Sequence, residues 1–396
     1  MAGILRRGVI KAALTLGAGA VHAKTISLPF DNGGRPLVAY PQKRPLIRLT
    51  TRPPQLETPF SAFDENVLTP NDAFFVRYHL ADAPPQNLDP DTFKLTVQGH
   101  VNGPLTLSLA DLKSMPAVDL VAVNQCSGNG RGFFQPRVGG GQAGNGLMGN
   151  ARWRGVPLKH VLRKAGIQTG AVQVRFDGMD GPVMAGTPDF AKALDIDHAL
   201  DGEVMLAWGM NGHELPILNG YPLRLVVPGW YGTYWVKHVN EITVLDKPLD
   251  NFWMSTAYRI PDNDCACIPA GTAAQKTRPI SRLNVRSFIT NLADGARIKA
   301  GRELMLRGIA FDGGSGIGAV DLSVDDGATW SSASLGAELG RYAFRPWTAS
   351  MRLPSGQHAI KVRAVARSGE AQPLEQRWNP SGYMRNVVES LTVEAV

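Results

Sequence analysis

One cysteine in a glycine-rich stretch is the residue of this sequence best suited to chemistry. Cys126 lies in NQCSGNGRG, residues 124–132, where the glycines permit backbone conformations closed to other residues and leave room for a bulky ligand. Arg131 adds a planar set of donors suited to oxyanions. A thiolate is a soft metal ligand, but a zinc site needs three or four spaced ligands, and the sequence has no CxxC. The pattern predicts a metal whose other ligands come from a cofactor.

The other two cysteines are expected to stay out of this chemistry. Cys265 and Cys267 are separated by one residue, and a disulfide across so short a loop is expected to be strained. We therefore expect Cys126 to remain a free thiol. In an oxidising compartment a free thiol persists because it is buried or because it binds a metal, and the sequence leaves both readings open.

A second candidate site is the apolar run FFVRYHL, residues 74–80. Side chains alternate along a strand, so Arg77 and His79 would point to the same side if this run is extended. An arginine beside a histidine makes a poor core and a good anion site. The alternative is the exposed polar face of an edge strand.

A third candidate is a cationic turn in PLRLVVPGWYGTYWVK, residues 222–237. Arg224 and Lys237 flank a turn that contains glycine and proline. A phosphate is bound by such cations together with free backbone N–H groups. The alternative is a pair of solvated surface charges.

These candidates must be positioned by short strands and brief helices. TFKLTVQGHV alternates like a strand, PLRLVVPGWYG and VKHVNEITVL are rich in β-branched residues, and LSLADLKSMP predicts a short helix that starts after Ser108 and ends before Pro116. The fold class is therefore α+β with a mainly β core. We place an extended, proline-rich arm at 24–60 and the main domain at 61–270.

The last third of the chain has a different pattern. Residues 271–396 contain short alternating strands separated by turn residues, and Asp325-Asp326-Gly327 between LSV and ATW is a hairpin signal. About 120 residues of this kind fit an immunoglobulin-like β-sandwich.

The N-terminus predicts export. In residues 1–23, MAGILRRGVIKAALTLGAGAVHA, the pair Arg6-Arg7 precedes a short apolar segment and a small-residue cleavage site, as in twin-arginine signal peptides. The net charge of +7 falls by three, to +4, without Arg6, Arg7 and Lys11. No long basic run indicates nucleic-acid binding, and no apolar stretch indicates a membrane span. The expected location is the periplasm.

Six separated motifs resemble one known family. FFVRYHL, NQCSGNGRG, ARWRGVPLKHVL, RFDGMD, LAWGMNGHELPILNGYPLRLVVPGWYGTYWVKHVNEI and LSVDDGATW occur in the order seen in the sulfite oxidase family of molybdopterin enzymes. The resemblance extends from about residue 60 to the end. Within the family it is nearest to the molybdenum subunits of bacterial sulfite:cytochrome c oxidoreductases. It implies a sulfite-oxidase-type molybdopterin domain followed by a dimerisation-type sandwich domain.

The resemblance also implies roles for individual residues. Cys126 would be the thiolate bound to molybdenum, beside the dithiolene of one molybdopterin. Some family members carry a histidine at Asn219 and a serine at Trp235, so only a backbone contact is expected at Trp235. The resemblance places Arg77, His79, Arg131 and Tyr258 around the substrate, and Phe75, Val76, Arg77, Tyr78, His79, Asp180, Asn219, Arg224, Trp235, Val236 and Lys237 around the cofactor.

The implied activity is oxidation of sulfite to sulfate. The sequence has no CxxCH, so we expect no haem on this chain and a separate small c-type cytochrome as electron acceptor. A permanent heterodimer with that cytochrome and a homodimer of this chain both stay open. Two other functions stay open. One is a periplasmic molybdenum reductase of the methionine sulfoxide type, for whose neutral substrate two arginines would be hard to explain. The other is a non-enzymatic exported binding protein.

Overall fold

The chain is built mainly from β-strands. The computed structural model describes residues 24–81, 83–85, 88–182 and 184–396. Strands make up 38% of it and helices 9%, which confirms the predicted mainly β class. The predicted signal peptide, 1–23, lies outside the described residues. Within them, none of the helices has both the length and the apolar character needed to cross a membrane.

The segment predicted to be an extended arm takes part in a sheet. Four of its short runs pair with one another, and the last pairs with a strand from the main domain. The prolines and polar residues hid this arrangement, because the individual strands are too short to show a period of two. In chain order, which is also the order across the sheet, the strands are β1 Thr25–Ser27, β2 Gly34–Val38, β3 Leu46–Thr50, β4 Gln55–Glu57 and β5 Val76–Arg77.

The end of β4 holds the glycine-rich segment that follows Cys126. The Glu57 side chain is only 2% exposed, and its two carboxylate oxygens accept hydrogen bonds from the backbone N–H groups of Gly144 and Gly146 at 3.0 and 2.9 Å. Burial raises the pKa of this carboxyl to about 7, although both hydrogen bonds favour the ionised form. The N-terminal sheet is thereby fixed to the site through one buried titratable group.

Glu57 is expected to make stability depend on pH. Its pKa is higher in the folded chain than its ordinary value of 4.5, so the folded state holds a proton that the unfolded state releases. The free energy of unfolding should therefore fall as pH rises from about 4.5 to about 7, by up to about 3 kcal/mol. Urea denaturation at pH 5 and pH 7.5 measures this slope. Glu57→Gln should flatten it, and Glu303→Gln, at an exposed strand position, should not. Equal slopes in all three proteins would contradict the assignment.

The described residues of the main domain and of the connector that follows it form five brief α-helices and twelve further strands. The helices are α1 Ala62–Glu65, α2 Leu109–Lys113, α3 Leu158–Ala165, α4 Ile196–Leu200 and α5 Phe252–Ser255. The strands are β6 Lys94–Gly99, β7 Leu105–Ser108, β8 Val118–Gln125, β9 Met148–Pro157, β10 Gln173–Gly178, β11 Ala191–Asp195, β12 Met205–Met210, β13 His213–Glu214, β14 Arg224–Val226, β15 Val239–Leu245, β16 Arg259–Pro261 and β17 Thr277–Pro279.

Two sheets of this domain support the site. One has the order β11-β10-β15-β6-β7, and the other has the order β13-β12-β9-β8, with β14 paired to β12. The long antiparallel pair β8–β9 runs to Gln125, opposite Met148, and the chain leaves the sheet at Cys126. A shared apolar core that includes Phe74, Trp153 and Phe176 fills the space around these sheets. Cys126 therefore directly follows the end of a long paired strand.

Several local predictions are confirmed. Ser108 caps α2 in a reciprocal capping box with Asp111, whose backbone N–H donates to the Ser108 hydroxyl at 3.1 Å. The predicted strands around residues 94–99 and 239–245 form as β6 and β15. The run FFVRYHL is less regular than predicted, because only Val76 and Arg77 belong to a strand.

The two neighbouring cysteines are paired, a state that the sequence left open although it predicts strain across so short a loop. Cys265 and Cys267 form a disulfide with their Cα atoms 5.1 Å apart. The tight turn is possible because Ala266, between them, adopts the left-handed conformation at φ +50°. Cys126 is free, as predicted, and it is the one free thiol among three cysteines, all of which the structure describes.

The C-terminal third is a two-sheet sandwich, as predicted. One sheet has the order β18-β20-β24-β23, the other the order β19-β26-β25-β21-β22, and Trp347 lies in the core between them. The predicted hairpin signal falls between β21 and β22, with positive φ at Asp326 and Gly327. The strands are β18 Arg286–Ile289, β19 Ala296–Ile298, β20 Glu303–Phe311, β21 Ile317–Ser323, β22 Ser331–Ser332, β23 Ser334–Leu335, β24 Arg345–Arg352, β25 Gly356–Ala366 and β26 Glu389–Ala395.

The sandwich is packed firmly against the main domain. Phe288, Phe311 and Phe344 belong to the same apolar cluster as Phe63 of α1, and the rings of Phe63 and Phe344 meet edge to face with centroids 6.0 Å apart. Asp64 of α1 also forms an ion pair with Arg307 of the sandwich at 2.6 Å. The two domains therefore share a core rather than joining through a free linker.

Candidate functional site

A cavity that is partly open to solvent lies where β8 ends. Cys126 faces it, and a smaller adjoining cavity shares five of its lining residues. The first is lined by Phe74, Phe75, Arg77, His79, Asn124, Cys126, Ser127, Leu218, Asn219, Arg224, Gly232, Thr233, Trp235, Lys237 and Tyr258, and the second adds Tyr78, Asp180, Phe190 and Val236. The two cavities thus bring together most of the site residues proposed from the sequence, which come from four of the six motifs and, for Tyr258, from outside them.

Backbone bonds on both sides of Cys126 fix its position. The Cys126 N–H donates to the carbonyl of Leu147 at 2.9 Å, and the Cys126 carbonyl accepts from the N–H of Asn129 at 3.0 Å. Gly130 then adopts φ +82°, where an added Cβ would come within 3.0 Å of the Asn145 side chain. The glycine at this position is therefore required both by the turn and by close packing.

Arg77 and His79 face the same cavity, as the alternation of an extended chain predicts. Val76 and Tyr78 instead pack in a small apolar core with Leu46. The His79 ring stacks on Phe190 with centroids 3.6 Å apart, which fixes its plane. Val76 is therefore a packing residue, and of the described residues it is not among those that line the cavity.

His79 is held in its neutral form. Burial lowers the pKa of its imidazole well below the ordinary range, and the positive charges of Arg77, Lys237 and Lys192 lower it further. A neutral imidazole can offer one donor and one acceptor. At neutral pH His79 can therefore orient a bound oxyanion or exchange a proton with water without adding a charge of its own.

Tyr258 completes this side of the cavity. Its backbone lies at φ +57°, a conformation unusual for a bulky residue, and its hydroxyl lies 3.5 Å from an Nη atom of Arg77. Burial raises the pKa of the phenol, so the hydroxyl keeps its proton. Tyr258 can therefore donate a hydrogen bond beside the Arg77 guanidinium.

Part of the cavity lining is cationic. Arg224 is 2% exposed and donates to the Asn219 carbonyl at 2.8 Å, while the Lys237 ammonium donates to the Arg77 carbonyl at 2.7 Å. Lys43, from the N-terminal sheet, donates to the Asn219 side-chain oxygen at 2.5 Å. Burial lowers the pKa of Arg224 to about 9 and that of Lys43 to about 7.

This cluster has more positive than negative charge. Burial lowers the pKa of Lys237, and Asp180 opposes that shift; burial likewise raises the pKa of Asp180, against the charge of Lys237. Asp180 thus partly compensates one of the cations. A phosphate placed here would stabilise the remaining positive charges and raise their pKa values.

Arg131 lies beside the cavities, on the far side of the Tyr383 ring. Its Nε donates to the Ser381 carbonyl at 3.0 Å, and its guanidinium lies over the Tyr383 ring, 4.9 Å from the centroid. Tyr383 in turn stacks on Tyr258 with centroids 5.4 Å apart. Among the described residues that line the two cavities, Arg131 is therefore absent, and it reaches the site through two aromatic rings.

Sequence reasoning missed several lining and supporting residues. Asn124 and Ser127 flank Cys126, and Gly232 and Thr233 lie in the motif that contains Trp235, so position in a motif could have indicated them. Lys43 carried no signal, because it lies in a proline-rich segment far from every motif. Tyr383 lies in the C-terminal domain and reaches the site only through the packing of that domain.

Comparison with known proteins identifies the family. Residues 81–253 match the oxidoreductase molybdopterin binding domain, and residues 277–395 match the Mo-co oxidoreductase dimerisation domain. Sulfite oxidase of Gallus gallus is 32% identical over 367 residues, which cover 88% of this chain and 78% of that protein. The chain belongs to the sulfite oxidase family. Mitochondrial sulfite oxidase of Homo sapiens is 34% identical over 367 residues, and this chain spans 65% of its length.

One protein of known structure has the same architecture. The crystal structure of the sulfane dehydrogenase SoxCD from Paracoccus pantotrophus matches 98% of this chain and 93% of its own with a TM-score of 0.75 and 25% sequence identity. Both domains described above therefore recur in this relative, in the same arrangement.

The residues at the cavity fit the molybdopterin group that the family implies. Four buried polar atoms in its wall have no hydrogen-bond partner within the described part of the chain: Asn124 Oδ1, Ser127 Oγ, Arg224 Nε and Thr233 Oγ1. Buried polar groups are rarely left unpaired. The donors and acceptors of a pterin with a phosphate tail would satisfy them, and Cys126 would supply a soft ligand to the metal.

Proposed function

We propose that this chain oxidises sulfite to sulfate in the periplasm, with a bound molybdenum–molybdopterin group, and that a separate c-type cytochrome takes the electrons. One observation carries the proposal: a free thiol, Cys126, shares a cavity with a neutral histidine and with the guanidinium of Arg77, for which the described residues supply no ion-pair partner. Membership of the sulfite oxidase family supports it.

The chain's own residues would bind and orient the anion. Sulfite and water give sulfate, two protons and two electrons, and the bound group supplies oxygen-atom transfer and accepts the electron pair. Arg77 would hold the sulfite oxygens by charge-assisted hydrogen bonds, each worth about 1.5–3 kcal/mol. Tyr258 would donate a further hydrogen bond, and neutral His79 would accept a proton from water.

The rest of the cavity would hold the cofactor. Arg224, Lys237 and Lys43 form the cationic part, where a phosphate tail would be bound. Cys126 would bind the metal. The protein thus contributes orientation and a preorganised positive field, while the redox chemistry belongs to the cofactor.

The electron acceptor is proposed from the sequence. The sequence of this chain contains no CxxCH, the motif to which a c-type haem is covalently attached. The mature net charge of +4 favours an acidic docking partner, so ionic strength should weaken the encounter.

The purified periplasmic protein is expected to reduce cytochrome c when sulfite is added, and the rate should fall as salt rises. Metal analysis should give one molybdenum per chain, and the protein alone should lack a Soret band. A metal-free but folded chain would point to a non-enzymatic binding protein. A covalent haem on this chain would contradict the proposed route for electrons.

A second candidate is oxidation of sulfane sulfur. The likeness to a sulfane dehydrogenase over 98% of the chain favours it, and so does the position of Arg131, which leaves Arg77 as the one substrate-side arginine in the cavity wall among the described residues. A comparison of sulfite, thiosulfate and glutathione persulfide as electron donors decides between the two. Methionine sulfoxide, offered to the reduced protein, tests the reductase alternative in the same assay.

A further inference from the structure

The C-terminal domain contacts the loop that carries Cys126 directly. The backbone N–H of Met384 donates to the Ser127 carbonyl at 2.9 Å, one residue after the cysteine. On the other side of the cysteine, Arg286, the first residue of β18, donates to the Gln125 side-chain oxygen at 3.3 Å. Both neighbours of Cys126 are therefore held by the second domain.

Arg286 is the centre of a buried ion group. Its side chain is 0% exposed, and one Nη atom donates to Asn145 at 2.9 Å and to Glu389 at 2.8 Å. Glu389 also accepts from Arg385 at 2.5 Å. The group contains two arginines and one glutamate, so a cationic side chain faces the cysteine loop from inside the protein.

The contacts of Arg286 continue around the loop. Gln125 Oε1, which Arg286 contacts, also accepts from the Asn129 amide at 3.2 Å. Asn129 Oδ1 accepts from the Leu147 N–H at 2.9 Å, and the Leu147 carbonyl accepts from the Cys126 N–H at 2.9 Å. A continuous set of hydrogen bonds thus leads from the Arg286 guanidinium to the backbone of the cysteine.

Stability alone is a weak reason for such a group. Burying ions costs desolvation energy, and well-packed apolar residues often replace a buried ion group without loss of stability. What an arginine provides and an apolar residue does not is several donors in a fixed plane. Here those donors set the positions of Gln125 and Asn145, on either side of the turn at Gly130.

We propose that Arg286 is a positioning residue that fixes the Cys126 thiol toward the cavity. The second domain thereby acts on the site through its own buried side chain. The importance of that position for activity rests on the proposed function, in which Cys126 binds the metal, but the positioning itself does not.

The test measures the reactivity of Cys126 with iodoacetamide in the full-length chain isolated without cofactor. Because Cys265 and Cys267 form a disulfide, Cys126 is the one thiol available for alkylation. Arg286→Met should raise the alkylation rate at least tenfold, since the loop loses its fixed donors and opens more often. The alkylation rate of Arg286→Lys should lie between those of the wild type and Arg286→Met, because an ammonium cannot bridge the same acceptors.

Arg307→Met is the matched control. It removes the ion pair with Asp64, which also joins the two domains but does not contact the cysteine loop. Its alkylation rate should stay within twofold of the wild type. If Arg286→Met does not fold, Asn145→Ala removes a partner of Arg286 from the opposite side and should also raise the rate.

Two results would overturn the proposal. One is an alkylation rate for Arg286→Met that equals that of Arg307→Met, even if both variants melt at lower temperature, since Arg286 would then only dock the domains. The other is a wild-type thiol that reacts as fast as in the unfolded chain. Neither readout needs molybdenum or sulfite, so failure of the proposed function gives a different pattern: slow alkylation of the wild type, fast alkylation of Arg286→Met and no sulfite oxidation.

Discussion

Cys126→Ser is expected to lower the turnover number for sulfite oxidation at least a thousandfold, which equals about 4 kcal/mol in activation free energy. The chain should remain folded. A hydroxyl is a harder and far less acidic ligand than a thiol, so it cannot replace a thiolate on a soft or thiophilic metal. The oxygen nevertheless fits the space, and the backbone bonds to Leu147 and Asn129 do not involve the side chain. Circular dichroism and thermal unfolding should therefore match the wild type.

The disulfide provides the control for this substitution. Cys265→Ser combined with Cys267→Ser also exchanges sulfur for oxygen, but at a site whose sulfurs are already paired. Closing so short a loop is worth about 1–2 kcal/mol in the chain-entropy account, so the double variant should unfold somewhat more easily and keep its turnover number. Near-normal turnover by Cys126→Ser with molybdenum bound would show that the thiol is not the essential ligand.

Local signals in the sequence predicted much of the framework. The capping box at Ser108, the alternation in β6 and β15 and the Asp-Gly turn at residues 326–327 all depend on neighbours within a few positions, so they can be read from the chain alone. The shared orientation of Arg77 and His79 could also be predicted from neighbouring residues alone, because side chains alternate along an extended chain.

Buried polar residues that reach the site through long-range packing could not be predicted from the sequence. Lys43, Glu57 and Arg286 are buried polar residues that act on the site from other elements, and each obtains its partner through a contact between parts of the chain that are far apart in sequence. A charged residue in a proline-rich or strand-like segment is usually solvated, so residue type alone gives no reason to select these three.

Two features that depend on local backbone and side-chain direction could not be derived from the sequence. The pairing of Cys265 with Cys267 required a left-handed Ala266, a conformation that residue type does not favour. Arg131 follows Cys126 by five residues, yet the turn at Gly130 directs its side chain toward Ser381 and Tyr383 of the second domain. Proximity in sequence to the cysteine therefore did not give a place in the cavity wall.

Arg77 lines the cavity and Arg131 does not, so replacing Arg77 should have the larger effect on sulfite binding. Arg77→Met is expected to raise the apparent Michaelis constant for sulfite at least tenfold, equivalent to about 1.4 kcal/mol. Methionine has a similar length and no charge, so it fills the cavity wall while removing the donors that face the anion. The Lys237 contact is made to the backbone carbonyl of residue 77 and should survive, so cofactor content should change little.

Arg131→Met is the matched comparison, because it removes the same charge from a position behind the aromatic rings of Tyr383 and Tyr258. Its Michaelis constant should rise less than threefold (below about 0.7 kcal/mol), and its main effect should be easier unfolding, since the bond to the Ser381 carbonyl is lost. Steady-state kinetics over a range of sulfite concentrations, with molybdenum content measured for each variant, gives the ranking. If Arg131→Met weakens sulfite binding more than Arg77→Met does, the substrate lies on the Tyr383 side of Tyr258, outside the cavity that Arg77 lines.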